Sequence, residues 1–169
     1  TRAIKILTNV LENTSEHPMV RHEAAEALGA IGSPEVLDLL KKYKNDPVVE
    51  VAETCELALE RIEWVQNPEN KLPETPYHSV DPAPPADVRS VEELKKTLLD
   101  EHTSLFQRYK AMFSLRNMHT KESVEALCVA LRHGSALFRH EIAFVLGQLQ
   151  DEASVPYLKE SLEDCSENE

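Results

Sequence analysis

The sequence predicts an all-α protein, a solenoid of short helix pairs in two halves joined by a proline-rich linker, and three observations carry that prediction. Glycine is scarce and aromatics make up 5% of the chain, while Ala, Leu, Glu and Lys abound, a composition that favours helices over sheets. Apolar residues recur at three-and-four spacing. The chain also aligns with itself at fixed offsets, as stacked repeats do.

Val20, Ala24, Ala27, Leu28 and Ile31 make the first strong amphipathic run, followed by Leu37, Leu40 and Tyr43, then by Val48, Val51, Cys55, Ala58, Leu59 and Ile62. Start signals stand before these runs. Ser33-Pro34-Glu35 and Asp46-Pro47 put a capping oxygen ahead of a first-turn proline, and Ser90-Val91-Glu92-Glu93 reads as a capping box. Between residues 67 and 88 the periodicity stops and most of the ten prolines gather, so this stretch cannot stay helical. The expected organisation is therefore an N-terminal half over 1–66, a linker over 67–88 anchored by Tyr77 and Val80, and a C-terminal half over 89–169. Trp64 is expected to close the first half by packing under the linker.

Internal repetition is the strongest organisational signal. An offset of 118 carries Arg21-His22-Glu23 onto Arg139-His140-Glu141, and Ala25, Leu28 and Gly29 onto Ala143, Leu146 and Gly147. An offset of 31 superposes Val20, Ala24, Leu28 and Ile31 on Val51, Cys55, Leu59 and Ile62, where Glu53-Thr54 stands in place of the His-Glu pair. Likewise Arg108-Tyr109-Lys110 lies 31 residues before Arg139-His140-Glu141, with Met112 and Leu115 at core positions. Each half thus pairs one motif-bearing repeat with one that lacks the motif. At an offset of 151 the first residues fall on the last ones, which leads to the expectation of a chain cut at both ends of a four-motif protein.

Charge and cysteine usage narrow the function classes. Thirty acidic against 18 basic residues give a formal net charge of -12, which argues against nucleic acid and fits a cationic partner or a solvated surface. Cys55, Cys128 and Cys165 stand far apart with no CxxC pair, as expected for idle thiols in the reducing cytoplasm. No apolar run is long enough for a bilayer, so no membrane partner is expected. There is no Ser-His-Asp order and no phosphate-cradling glycine loop.

Adjacent His and Glu on a helix diverge by about 100°, so both can reach one rim but together they cannot enclose an ion. Any metal site must draw on several helices. A one-helix zinc-protease arrangement would need a second His four residues on, where Glu26 and Phe144 stand instead. Imidazole and carboxylate without thiolate suit iron, manganese or zinc, and helical proteins use this mixture to hold paired irons. A single His-Glu pair is usually an ordinary boundary pair. Its recurrence leaves a metal site and duplicated ancestry without function both open. Arg21 and Arg139 read as solvated charges rather than partners of the carboxylates.

The stretches PMVRHEAAEALGAIG, DPVVEVAETCELALERIEW, PYHSVDPAPP, RYKAMFSLRN and GSALFRHEIAFVLGQLQ together resemble the deoxyhypusine hydroxylase family over most of the chain. The resemblance implies a HEAT-repeat α-solenoid in two facing halves, with four His-Glu motifs binding two Fe(2+) ions per complete protein. It implies a cytoplasmic monooxygenase, expected to be a monomer, that uses molecular oxygen to hydroxylate the deoxyhypusine side chain of a translation factor. Carried over by residue, His22 and Glu23 match the second motif and His140 and Glu141 the third, so these four are the expected metal residues. Glu23 is the better candidate for a directly bound carboxylate, whereas Glu141 either binds or hydrogen-bonds near the irons. The first and fourth motifs are absent, and weak or no iron binding is expected of this chain alone.

His17, His78, His102, His119 and His133 lack partners at ligand spacing and are expected to be exposed or capping. Met19 and Phe138 are expected to pack where their helices begin. Two other readings compete: a metal-free HEAT scaffold that binds proteins on its concave surface, and a bilin-lyase-like repeat protein, which would lack the paired motif and this linker.

Overall fold

A computed structural model of the chain describes residues 1–73, 75–87 and 89–167. These residues form nine α-helices and no strand: α1 (Arg2–Glu12), α2 (Pro18–Ile31), α3 (Leu37–Tyr43), α4 (Val49–Gln66), α5 (Val91–Leu99), α6 (Leu105–Met118), α7 (Lys121–Ala130), α8 (Ala136–Leu149) and α9 (Val155–Glu163). Single 3-10 turns, Pro34–Val36 and Glu152–Ser154, lead into α3 and α9. The helices sort into two compact units, Thr1–Pro73 with Val80–Ala83, and Glu74–Ser79 with Pro84–Glu169. The proline-rich stretch is therefore shared between the units; its residues Glu74 and Val88 lie outside the described residues.

In the first unit α2 packs on α1 and α4, and α3 packs on α4. Leu11, Ala25, Leu28, Leu40, Val51, Cys55 and Ile62 are fully sealed from solvent and form its core. Burying each large aliphatic side chain contributes roughly 1.5–3 kcal/mol. Gly29 permits the closest approach, since a Cβ there would stand 2.7 Å from the Ala58 Cβ on α4. The apolar run of α2 is narrower than its periodicity suggests. Val20 and Ile31, in the first and last turns, are 45% exposed.

The capping expectations divide. Ser90 and Glu93 form the expected reciprocal box, with Glu93 N donating to Ser90 Oγ and Ser90 N donating to Glu93 Oε2. Ser33 precedes a 3-10 turn and its side chain caps nothing. Asp46 is not an N-cap either: α4 begins at Val49, and Asp46 Oδ1 instead accepts from Val48 N, closing a short turn.

The other Asp46 contacts correct the reading of Arg21 as a solvated charge. Arg21 is 3% exposed; its NH1 and NH2 groups donate to Asp46, at 3.2 and 2.6 Å, and its Nε donates to the Leu11 carbonyl. The carbonyls of a helix's last turn have no partner within the helix, and here the next helix supplies one. Arg108 does the same in the second unit, its Nε donating to the Leu98 carbonyl at the end of α5. The arginine is a clasp between consecutive helices of a repeat, whether or not a His-Glu pair follows it. Arg139 is also no solvated charge, since it is paired with Glu167 and donates to the Gly134 carbonyl.

In the second unit α6 packs on α5, α7 and α8, and α7 packs on α5 and α8. Tyr109, Met112, Phe113, Leu115, Phe138 and Ile142 are buried at its centre. Tyr109, in the register of His140, stacks at a tilt on Phe138, 5.7 Å between centroids. Phe138 is thus packing, as expected. Tyr77 lies over the fully buried Arg116 guanidinium at 4.4 Å, whereas Val80 is 60% exposed and anchors nothing; Ala83 is buried in its place. Trp64 is half-buried, and its carbonyl accepts from Asn70 Nδ2.

Candidate metal centre

His22 sits in the second turn of α2, on the side that meets α4, and is 3% exposed. Its Nδ1 lies 2.6 Å from Thr54 Oγ1. Thr54 is itself buried and donates its hydroxyl proton to the Glu50 carbonyl one turn back in α4, at 2.7 Å. Across the ring, His22 Nε2 is 4.0 Å from Glu23 Oε1 and 3.8 Å from Glu26 Oε2. These separations are too long for hydrogen bonds and exceed the roughly 3–3.4 Å between adjacent ligands of one ion, so the carboxylates would have to swing inward to share an ion with Nε2. The Glu23 side chain is 71% exposed and Glu26 is 39% exposed, so the buried imidazole opens onto a rim of carboxylate. Burial and the neighbouring Glu23 charge push the Glu26 carboxyl above its usual range.

The α8 copy is more open within these 169 residues, where the counterpart of α4 would begin only at position 167. His140 is exposed, Glu141 is half-buried, and the position four residues after His140 is occupied by Phe144, 55% exposed, where α2 has Glu26. Gly147, the counterpart of Gly29, has nothing within 4 Å of where a Cβ would stand. At the offset of 118 the register of Thr54 falls at position 172, outside these 169 residues. Helix α8 begins at a Ser135 cap, whose side chain accepts from Phe138 N.

Of the remaining histidines, His17 caps α2 through Nδ1, which accepts from Met19 N at 3.3 Å. His78, His102 and His119 are exposed; His119 ends α6 in a left-handed conformation, φ 47°. The donor chemistry around His22, an oriented imidazole beside carboxylates, fits part of an iron shell. No group of three or more His, Cys, Asp or Glu placed to hold a metal ion occurs among the described residues. Each motif therefore offers a partial donor set. Thr54 and Glu26 lie beside His22 and were not singled out from sequence as its neighbours; the signal for Thr54 was its position in register with Glu23 at the offset of 31. None of the helices is long and apolar enough to cross a membrane among the described residues.

A family model described as HEAT repeats matches residues 1–60 and 89–169. Deoxyhypusine hydroxylase of Drosophila melanogaster is 60% identical over 169 residues, 99% of this chain and 56% of that protein. Deoxyhypusine hydroxylase of Homo sapiens is 58% identical over 167 residues, 99% of this chain and 55% of its own length. A solved structure of human deoxyhypusine hydroxylase in complex with glycerol superposes with a TM-score of 0.95 at 58% identity, covering 99% of this chain and 58% of that one. The chain spans a little over half the length of the curated relatives it matches.

Proposed function

Because this chain belongs to the HEAT-repeat family and is similar over nearly its whole length to deoxyhypusine hydroxylases, we propose that it supplies two of the metal-binding motifs of such an enzyme. The complete protein hydroxylates the deoxyhypusine side chain of a translation factor, with molecular oxygen as co-substrate, in the cytoplasm and as a monomer. The observation that carries this reading is the His22 environment, where a buried ring held on one nitrogen turns the other toward two carboxylates. An ordinary boundary histidine needs no such arrangement.

His22, Glu23, His140 and Glu141 would hold Fe(2+), two ions per complete protein, with the remaining ligands coming from outside these 169 residues. Bound ferrous iron supplies the electrons that reduce oxygen for insertion into a C–H bond. The chain's own contribution is orientation and charge. Thr54 fixes the His22 ring, the close α2–α4 contact at Gly29 and Ala58 holds that ring's helix in place, and the Arg21 clasp sets α2 against α1. The exposed Glu23 carboxylate and the net charge of -12 favour approach of a substrate arm that carries amino groups.

The test is hydroxylation of a deoxyhypusine-containing protein by the complete enzyme. The wild type should form hypusine in an oxygen-dependent reaction, and His22→Ala and His140→Ala should each reduce product formation by about a hundredfold or more. Full activity in either variant would remove that residue from the site. No activity and no iron in the wild type would favour a metal-free protein-binding scaffold.

A further inference from the structure

The repeat that lacks a His-Glu pair contributes to the site in another way. At the offset of 31, Thr54 takes the register of Glu23, and α4 packs this position against α2. Thr54 is 4% exposed, and its Oγ1 lies between two groups, the Glu50 carbonyl at 2.7 Å and His22 Nδ1 at 2.6 Å. A carbonyl can only accept, so the 2.7 Å contact takes the single hydroxyl proton. Were that proton turned toward the ring instead, lone pairs of two oxygens would face each other at 2.7 Å in a buried place with no proton between them. The remaining contact must then run from the ring to the threonine, with Nδ1–H donating and Oγ1 accepting.

We propose that Thr54 is a positioning residue that locks His22 in its Nδ1–H tautomer and so presents Nε2 as the lone-pair nitrogen on the carboxylate rim. Two forces compete for the ring proton. Glu23 and Glu26 face Nε2 at 4.0 and 3.8 Å and draw the proton toward themselves, and the Thr54 oxygen draws it to the opposite side. Without the hydroxyl the carboxylates win, and Nε2 carries a proton where a metal ligand must offer a lone pair. The consequence for metal binding rests on the proposed function; the tautomer itself does not.

The test separates the two. Long-range nitrogen–proton correlation spectra of the metal-free 169-residue chain, at a pH where the imidazole is neutral, distinguish the tautomers directly, with His22 assigned by its absence in His22→Gln. Wild type and Thr54→Ser should show Nδ1–H, and Thr54→Val should move the proton to Nε2. An Nε2–H ring in the wild type, or an unchanged ring in Thr54→Val, would overturn the proposal. In the complete protein, Fe(2+) affinity should fall about 10–100-fold in Thr54→Val and return in Thr54→Ser. Equal affinity in Thr54→Val would end the positioning role while leaving the metal reading intact. A wild type that shows the Nδ1–H ring yet binds no iron would end the metal reading while the tautomer lock stands.

Discussion

Helices α2 and α8 carry the same Arg-His-Glu from their fourth residue on, and the two copies differ in the surroundings of the arginine, of the histidine and of the glycine that follows. On α2 the arginine is sealed, joined to Asp46 and to the Leu11 carbonyl, the histidine is buried against Thr54, and Gly29 touches Ala58. On α8 the arginine is partly exposed and paired with Glu167, the histidine is open, and Gly147 faces no neighbour. In a solenoid each repeat is completed by the ones beside it, so identical residues acquire their properties from the next helix pair. Helix α4 covers α2, whereas its counterpart at the offset of 118 would begin at position 167 and falls almost wholly outside these 169 residues, so the openness of α8 is a property of this 169-residue chain.

The largest consequence concerns the arginines. Arg21→Ala leaves Asp46 charged and buried without its partner, and should cost the first unit about 3–5 kcal/mol. Arg139→Ala, at a pair whose side chains are 22% and 27% exposed, should cost no more than about 1 kcal/mol. Urea unfolding followed by far-UV circular dichroism reads the helices of both units, and Trp64, the one tryptophan of the chain, reports the first unit by its fluorescence, so the two losses are measured side by side. Equal losses from the two changes would break the comparison.

The glycines should differ in sign. Gly29→Ala forces a Cβ to 2.7 Å from the Ala58 Cβ, overpacking that costs about 1–3 kcal/mol before the better helix propensity of alanine offsets part of it. In the 169-residue chain Gly147→Ala meets nothing within 4 Å and should stabilise by up to about 1 kcal/mol. Thermal unfolding of the two variants checks both.

Acid should sharpen the contrast further. The hydrogen bond from Arg21 holds the Asp46 carboxyl below its ordinary range. A carboxyl whose pKa is lower folded than unfolded adds stability that is complete above its unfolded value, about 3.9, and drains away as pH falls through the folded one. Asp46→Asn removes that contribution. The stability difference between wild type and Asp46→Asn, followed by Trp64 fluorescence, should be constant above about pH 5 and shrink below about pH 4. A difference that grows on acidification would contradict the clasp.

The smallest effect is chemical. Burial pushes the Cys55 thiol up to about 12 and the Cys128 thiol up to about 11, whereas Cys165 is exposed. A thiol reagent near neutral pH should label Cys165 alone until the chain unfolds. Early labelling of Cys55 would mean that α4 leaves α2 far more readily than its packing implies.

Most of the helical frame was legible because periodicity, the Ser90 box and the proline-rich interruption are local signals. Helix ends were less so, since Asp46-Pro47 has the composition of a cap while Asp46 is taken by Arg21, 25 residues away. The core was overread at Val20 and Ile31, which keep the spacing of buried residues but are 45% exposed in the first and last turns of α2. At the site, the recurrence of Arg-His-Glu pointed to His22 and His140 alike, and the motif itself does not show which neighbouring helix covers each ring. Thr54 could not be identified from spacing alone, because its role depends on which way a ring on another helix is turned. The arginine was misread for the same reason: charge is visible in a sequence and its partner is not.

The most direct test of the central claim is the iron content of the complete protein and of its His22→Ala and His140→Ala variants. About two irons per chain in the wild type, with about one lost in each variant, is the predicted result. Iron unchanged by both substitutions, or absent from the wild type, would contradict the assignment of these two helices to a metal centre.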